Sequence, residues 1–223
     1  MASASLTRKE ERFNATGAEL SASAYNLAMG LVVLYGLLVN ALACYFISDT
    51  AIVIISQHPI IFLLVYLGLV IFGSLLAGKS DNPFISFIGY NLIVLPLGII
   101  VSATVGLSST ALVIDAIKLT AGVVLVMIGL SCAFPRFFMS LGKALFISLI
   151  ALIVVELICM IARLPLGWTS YAAAAIFSLY IGYDIQKAQR YPKTLDNAVD
   201  CAIDIYMDVI YLFLNLLDIL DNN

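Results

Sequence analysis

The sequence predicts an all-α polytopic membrane protein with seven transmembrane helices. Three observations carry that prediction. The 223 residues are 63% hydrophobic and only 11% charged, whereas a soluble domain is about half apolar and about a quarter charged. A soluble chain of this size could not hide that much apolar surface. Apolar runs long enough to cross a bilayer, about 20 residues each, recur along the chain. The cations also fall almost entirely on one side of the resulting topology.

Residues 1–24 are polar and lack an apolar core segment, so they read as a tail and not as a cleavable signal peptide. The membrane domain then covers 25–221, with spans near 25–47, 58–77, 84–105, 111–133, 141–161, 167–184 and 199–220. Prolines mark the breaks: Pro59, Pro83, Pro135, Pro165 and Pro192. Proline is tolerated at helix starts and in loops but costs about 3 kcal/mol in a helix interior. Pro96 falls inside the third span and predicts a kink there, relieved by neighbouring groups. The connections are short, so consecutive helices are expected to be antiparallel neighbours.

Orientation follows from the cations. With the N-terminus in the cytoplasm, the inner segments hold Arg8, Lys9, Arg12, Lys79, Arg136, Lys143, Lys187, Arg190 and Lys193, the outer connections hold Arg163, and Lys118 lies within a span. The C-terminus is then outside. With a net charge of −3 and no Lys/Arg block, nucleic acid is excluded as a partner; the partner is the lipid bilayer.

The seventh span opens on acids at every fourth position: Asp196, Asp200, Asp204 and Asp208. That spacing stacks them on one helix face, where like charges repel. At 1.5 Å per residue, Asp208 lies roughly 12 Å deeper than Asp200. The pattern therefore puts Asp196 and Asp200 in solvent at a dipole-stabilised helix start, Asp204 at the mouth and Asp208 inside. The sixth span ends at Tyr183 and Asp184 on the same side. Its Ala174, Ser178 and Gly182 form a small-residue face that allows close approach by another helix. If the seventh helix uses that face, Asp184 and Asp208 meet near the inner membrane boundary.

A carboxylate at membrane depth is expensive and is tolerated where it pairs, titrates or lines a water-filled path. Two of them in a low-dielectric site cannot both ionise cheaply, so they share one proton and titrate as a unit. Losing that proton creates repulsion that opens the helices or recruits a cation, and hard oxygen ligands favour Ca²⁺ over soft metals. Asp184 and Asp208 are thus the candidate proton-sensing and gating pair and the candidate Ca²⁺ ligands. Asp204, Asp200 and Tyr183 stand in support. No catalytic residue and no required cofactor is indicated.

Asp115 and Lys118 of the fourth span and Glu156 of the fifth form a candidate outer ion pair. Lys118 would neutralise Glu156, either fixing the hairpin or serving an outer ion-entry site. His58 reads as an interfacial residue at the start of the second span. Trp168, Tyr171 and Tyr25 read as interfacial anchors, and Asn40, Asn91 and Asn215 as interhelical hydrogen-bonding groups. Cys44, Cys132, Cys159 and Cys201 show no CxxC spacing and read as small buried hydrophobes.

The segments GYDIQKAQ (Gly182–Gln189) and AIDIYMDVIYLFLNLL (Ala202–Leu217) resemble the signature of the Bax-inhibitor family, the transmembrane Bax-inhibitor-motif proteins. The stretches Tyr25–Leu42, Asp81–Gly98, Asp115–Phe134 and Phe137–Phe146 are similar to bacterial members. The resemblance implies a seven-helix fold whose last helix is central and wrapped by the other six, in a bacterial plasma membrane. It also implies a pH-sensitive Ca²⁺ leak governed by a di-aspartyl pair, which residue by residue is Asp184 and Asp208. Two positions depart from the pattern. Tyr211 stands where many members carry Asn, and Asp218 lies near where a basic residue often sits; the second span carries no acid to form an outer charge latch.

Two other functions fit parts of the sequence. Paired intramembrane aspartates also suit an intramembrane aspartyl protease, but that pattern includes GxGD, and Tyr206-Met207-Asp208 has no such glycine. A regulatory membrane protein acting on a membrane protease or stress response through a membrane-protein partner is the third class, with RKEER (residues 8–12) as its contact.

Overall fold

The computed structural model describes residues 18–162 and 167–222. Arg8, Lys9, Arg12, Arg163, Pro165 and the RKEER contact therefore lie outside the described residues. Among those described, every regular element is a helix. They run α1 (Ala22–Gln57), α2 (Pro59–Gly78), α3 (Pro83–Leu107), α4 (Thr110–Ala133), α5 (Pro135–Ser140), α6 (Gly142–Ala162), α7 (Gly167–Ala188) and α8 (Leu195–Asp221).

Proline and hydroxyl caps set these bounds. Pro59, Pro83 and Pro135 open α2, α3 and α5, where a missing N–H costs nothing. The hydroxyls of Ser21 and Ser109 accept from the backbone N–H of Ala24 (3.2 Å) and Leu112 (3.4 Å), and Thr194 caps α8 by accepting from Asn197 N–H at 3.2 Å. Two features differ from the sequence expectation. α1 continues through Gln57, past the expected end at 47, because residues 48–57 contain neither Gly nor Pro; the His58-Pro59 step stops it. The six-residue helix α5 was not expected, being too short to show a period.

Among the described residues five helices, α1–α4 and α6, are long and apolar enough to cross a bilayer. Their exposed Leu, Ile and Phe side chains are lipid-facing surface. α7 and α8 cover the sixth and seventh expected spans but carry Asp184 and Lys187, and the aspartate stripe, respectively.

The chain divides into two compact units. The first holds α1–α3, the connection from Ala188, and α8 as far as Tyr206. Within it α3 is the internal helix: half of its most apolar window is buried (50%), against 17% in α1 and α2. Tyr90, Ile93, Val94 and Leu97 are fully enclosed. α3 runs unbroken through buried Pro96. Gly73 and Gly89 let the α2 and α3 backbones touch, since a Cβ on either would lie 2.5 Å from the other's carbonyl oxygen. Gly36 likewise makes room for the rings of Tyr90 and Tyr206, which meet edge to face at 5.3 Å. Asn40 makes the interhelical bond expected of it, donating from Nδ2 to Tyr206 Oη at 2.7 Å. Asn91 does so too, accepting from Tyr35 Oη at 2.7 Å, whereas Asn215 bonds within its own helix, to Tyr211 O.

The second unit holds Ser108–Lys187 and the chain from Met207 onward, hence α4–α7 and the remainder of α8. Between Ala198 and Phe213, α8 is buried around most of its circumference; Asp204, Met207 and Tyr211 form the half-buried face.

Candidate functional site

In the second unit the C-terminal end of α7 is held by two ring-on-glycine contacts. The buried Phe138 ring of α5 fills the space above Gly182, where a Cβ would come within 2.6 Å of Cδ1 and 2.9 Å of Cζ. In return the Tyr183 ring fills the space at Gly142, where a Cβ would lie 2.8 Å from Tyr183 Oη. This corrects one expectation. The Ala174–Ser178–Gly182 face does not receive the seventh helix at Gly182; it receives Phe138.

α8 meets α7 through an adjacent face, in an antiparallel register that two contacts define and one electrostatic coupling fits. Ser170 Oγ donates to Asp218 Oδ2 at 2.5 Å. Phe177 stacks on Tyr211 with centroids 5.0 Å apart and 19° between planes. Tyr180 interacts electrostatically with Asp208, and with Asp184, Lys187 and Tyr183 of its own helix. Tyr180 and Asp208 are thus level across the seam, and Asp184 lies one turn along α7, about 6 Å on. Both aspartates are 7% exposed.

Asp184 has a partner that the sequence reading passed over. Lys187, one turn on, places Nζ 2.9 Å from Asp184 Oδ1, with 28% and 8% of the two side chains exposed. The same ammonium lies 5.8 Å from the centre of the Tyr183 ring. An i,i+3 spacing puts two residues on one helix face, so this bond was legible in YDIQK. The position of Lys187 in the last turn of α7 also suits the helix dipole.

The acids at the head of α8, in the first unit, are not where the stripe predicts. Asp196 and Asp200 were expected in solvent; they are 5% and 1% exposed, while Asp204 is half-buried. The cover comes from distant segments. Ser86 Oγ donates to Asp196 Oδ1 at 2.6 Å. Tyr25 Oη reaches Ala188 O (3.2 Å) and Cys201 Sγ (3.4 Å). The Lys193 ammonium lies 5.2 Å from the centre of the Tyr25 ring, and Leu20 N–H bonds Lys193 O at 2.7 Å. Tyr25 is accordingly fully buried and not an interfacial anchor; Trp168 and Tyr171 are exposed.

The outer ion pair is also rearranged. Lys118 bonds Asp115, three residues away on its own helix, at 2.9 Å and in an exposed position, and not Glu156. Glu156, half-buried, is hydrogen-bonded by Thr169. The short i,i+3 reach within α4 wins over a contact between helices. At the same end Ser108 donates to Asp221 Oδ2 at 2.5 Å. Of the cysteines, Cys159 and Cys201 are buried as expected, but Cys132 is exposed on α4. Among the described residues no three His, Cys, Asp or Glu side chains are grouped so as to hold a metal ion.

The family described as "Inhibitor of apoptosis-promoting Bax1" matches residues 22–223, which include both aspartates and every helix among the described residues. The chain belongs to this family. It is an integral multi-pass membrane protein with bacterial relatives. Uncharacterized proteins from two Helicobacter pylori strains are 35% identical over 83 residues, covering 36% of this chain and 35% of theirs. An uncharacterized protein of Campylobacter jejuni is 31% identical over 133 residues, covering 52% of this chain and 55% of its own. The matched segments thus span between about a third and about half the length of these curated relatives.

Proposed function

We propose that this Bax-inhibitor-family protein is a pH-sensitive leak for calcium and other cations, gated by Asp184 and Asp208 on the cytoplasmic side of a bacterial plasma membrane. The N-terminus is inside and the C-terminus outside in this reading, which is not enzymatic. One observation supports it: two buried aspartates lie along one α7–α8 seam, on either helix, with Tyr180 electrostatically coupled to both. Lys187 offsets one of the two negative charges. The remaining charge is neutralised by a proton when the seam is closed. When that proton leaves, the two carboxylates repel in a low dielectric, which favours separation of the helices or entry of a cation.

Calcium suits this seam as cargo. It takes six to eight oxygens, and two carboxylates supply no more than four, so a passing ion would keep part of its water shell. The test is Ca²⁺-loaded liposomes containing the full chain, assayed across acidic to alkaline pH. The reading requires a leak whose rate changes with pH and an Asp208→Asn variant that has lost that dependence. A variant with the wild-type pH profile would end it.

A further inference from the structure

The gate has a positively charged residue where a passing cation would have to bind. We propose that the Lys187 ammonium is a tethered cation that occupies the ion position at Asp184, so that it determines which cations can use the seam. The inference rests on the gating reading above for its physiological meaning, but its geometry stands separately. Nζ lies 2.9 Å from Asp184 Oδ1, the distance of a charge-assisted hydrogen bond. Asp184 is buried, and Lys187 is exposed enough to swing away on its four-carbon stem. The groups facing this ammonium are Asp184 and the Tyr183 ring, with Tyr180 electrostatically coupled to it on the same helix. Arg136 and Lys143, which flank the α5–α6 contact with Tyr183, are exposed.

An ion entering the seam must displace the ammonium, and tethering makes that competition intramolecular. A monovalent ion gains about the same Coulomb energy from Asp184 as the ammonium loses, so it has no advantage. A divalent ion gains about twice as much at equal distance, and it can also draw on Asp208. Lys187 thus acts against K⁺ and Na⁺ more than against Ca²⁺. A hydrogen bond to a charged group corresponds to about tenfold to a hundredfold in a competing equilibrium, which sets the size of the effect.

The experiment uses the full-length protein with Lys187→Met, which keeps an unbranched stem and removes the charge, and Lys187→Arg, which restores it. Binding of radioactive Ca²⁺ to detergent-solubilised protein is measured first and requires no transport. Lys187→Met is expected to bind Ca²⁺ about tenfold to a hundredfold more tightly than wild type, and Lys187→Arg to return to the wild-type affinity. In liposomes, Lys187→Met is expected to raise K⁺ flux relative to Ca²⁺ flux by about tenfold, again reversed in Lys187→Arg. Equal Ca²⁺ affinity in wild type and Lys187→Met, or no Ca²⁺ binding by either, overturns the proposal. Tighter binding by Lys187→Met in a protein whose liposomes are tight at every pH supports the tethered cation and rejects the leak.

Discussion

Gly182→Ala should destabilise the end of α7 that carries Asp184. The added Cβ would lie 2.6 Å from Phe138 Cδ1 and 2.9 Å from Cζ, closer than real carbon–carbon contacts allow. Phe138 is 2% exposed, so its ring has little room to retreat, and α5 or α7 has to shift instead. Overpacking of this kind costs about 1–3 kcal/mol. For a chain of this length about 2 kcal/mol lowers Tm by roughly 4–8 °C. The assay is thermal unfolding in detergent, followed by helical circular dichroism, on Gly182→Ala, Phe138→Leu and the double variant. Phe138→Leu shortens the side chain that meets the new methyl, so the penalty of Gly182→Ala should be smaller by about 1 kcal/mol or more in the double variant. Unchanged Tm in Gly182→Ala, or strictly additive effects, would refute the reciprocal-lock geometry. Gly142→Ala should cost less, because the Tyr183 ring it meets is only half-buried and can move.

Three further outcomes follow from the same contacts. Tyr206→Phe removes the acceptor of Asn40 Nδ2 and should cost about 0.6–2 kcal/mol of stability; Asn40→Leu combined with it should cost less than the two changes added together, measured by the same unfolding assay. Thr194→Ala removes the cap of α8 and should lose about 1 kcal/mol, with Thr194→Ser close to wild type in the same melt. Tyr211→Asn breaks the stack on Phe177; a double cycle with Phe177→Ala should show a coupling of about 0.5–1.5 kcal/mol.

The helices were largely legible in the sequence, because apolar length and proline position are local signals. Pro59, Pro83 and Pro135 begin helices as read. α1 runs past the expected end at 47 because no residue from 48 to 57 breaks a helix. The burial of Asp196 and Asp200 was not legible: their cover comes from Ser86, 110 residues away from Asp196, and from Tyr25, 176 residues from Cys201. A charge stripe read alone reports repulsion and gives no sign of what folds over it. The Asp184–Lys187 bond is the opposite case, since its i,i+3 spacing is a local signal visible in the sequence. The choice of α7 face was decided by α5, whose six residues leave no periodic trace, so Phe138 could not be weighed against α8 as the partner of Gly182.

The separation of the Asp184 and Asp208 carboxyl groups, measured in the protein crystallised at acidic and at alkaline pH, tests the proposed gate most directly. The account predicts carboxyls that converge beside Tyr180 at acidic pH, within hydrogen-bond reach of about 2.5–3.0 Å, and that move apart at alkaline pH while Lys187 stays with Asp184. Carboxyls pointing to different faces of the α7–α8 seam at both pH values would contradict it.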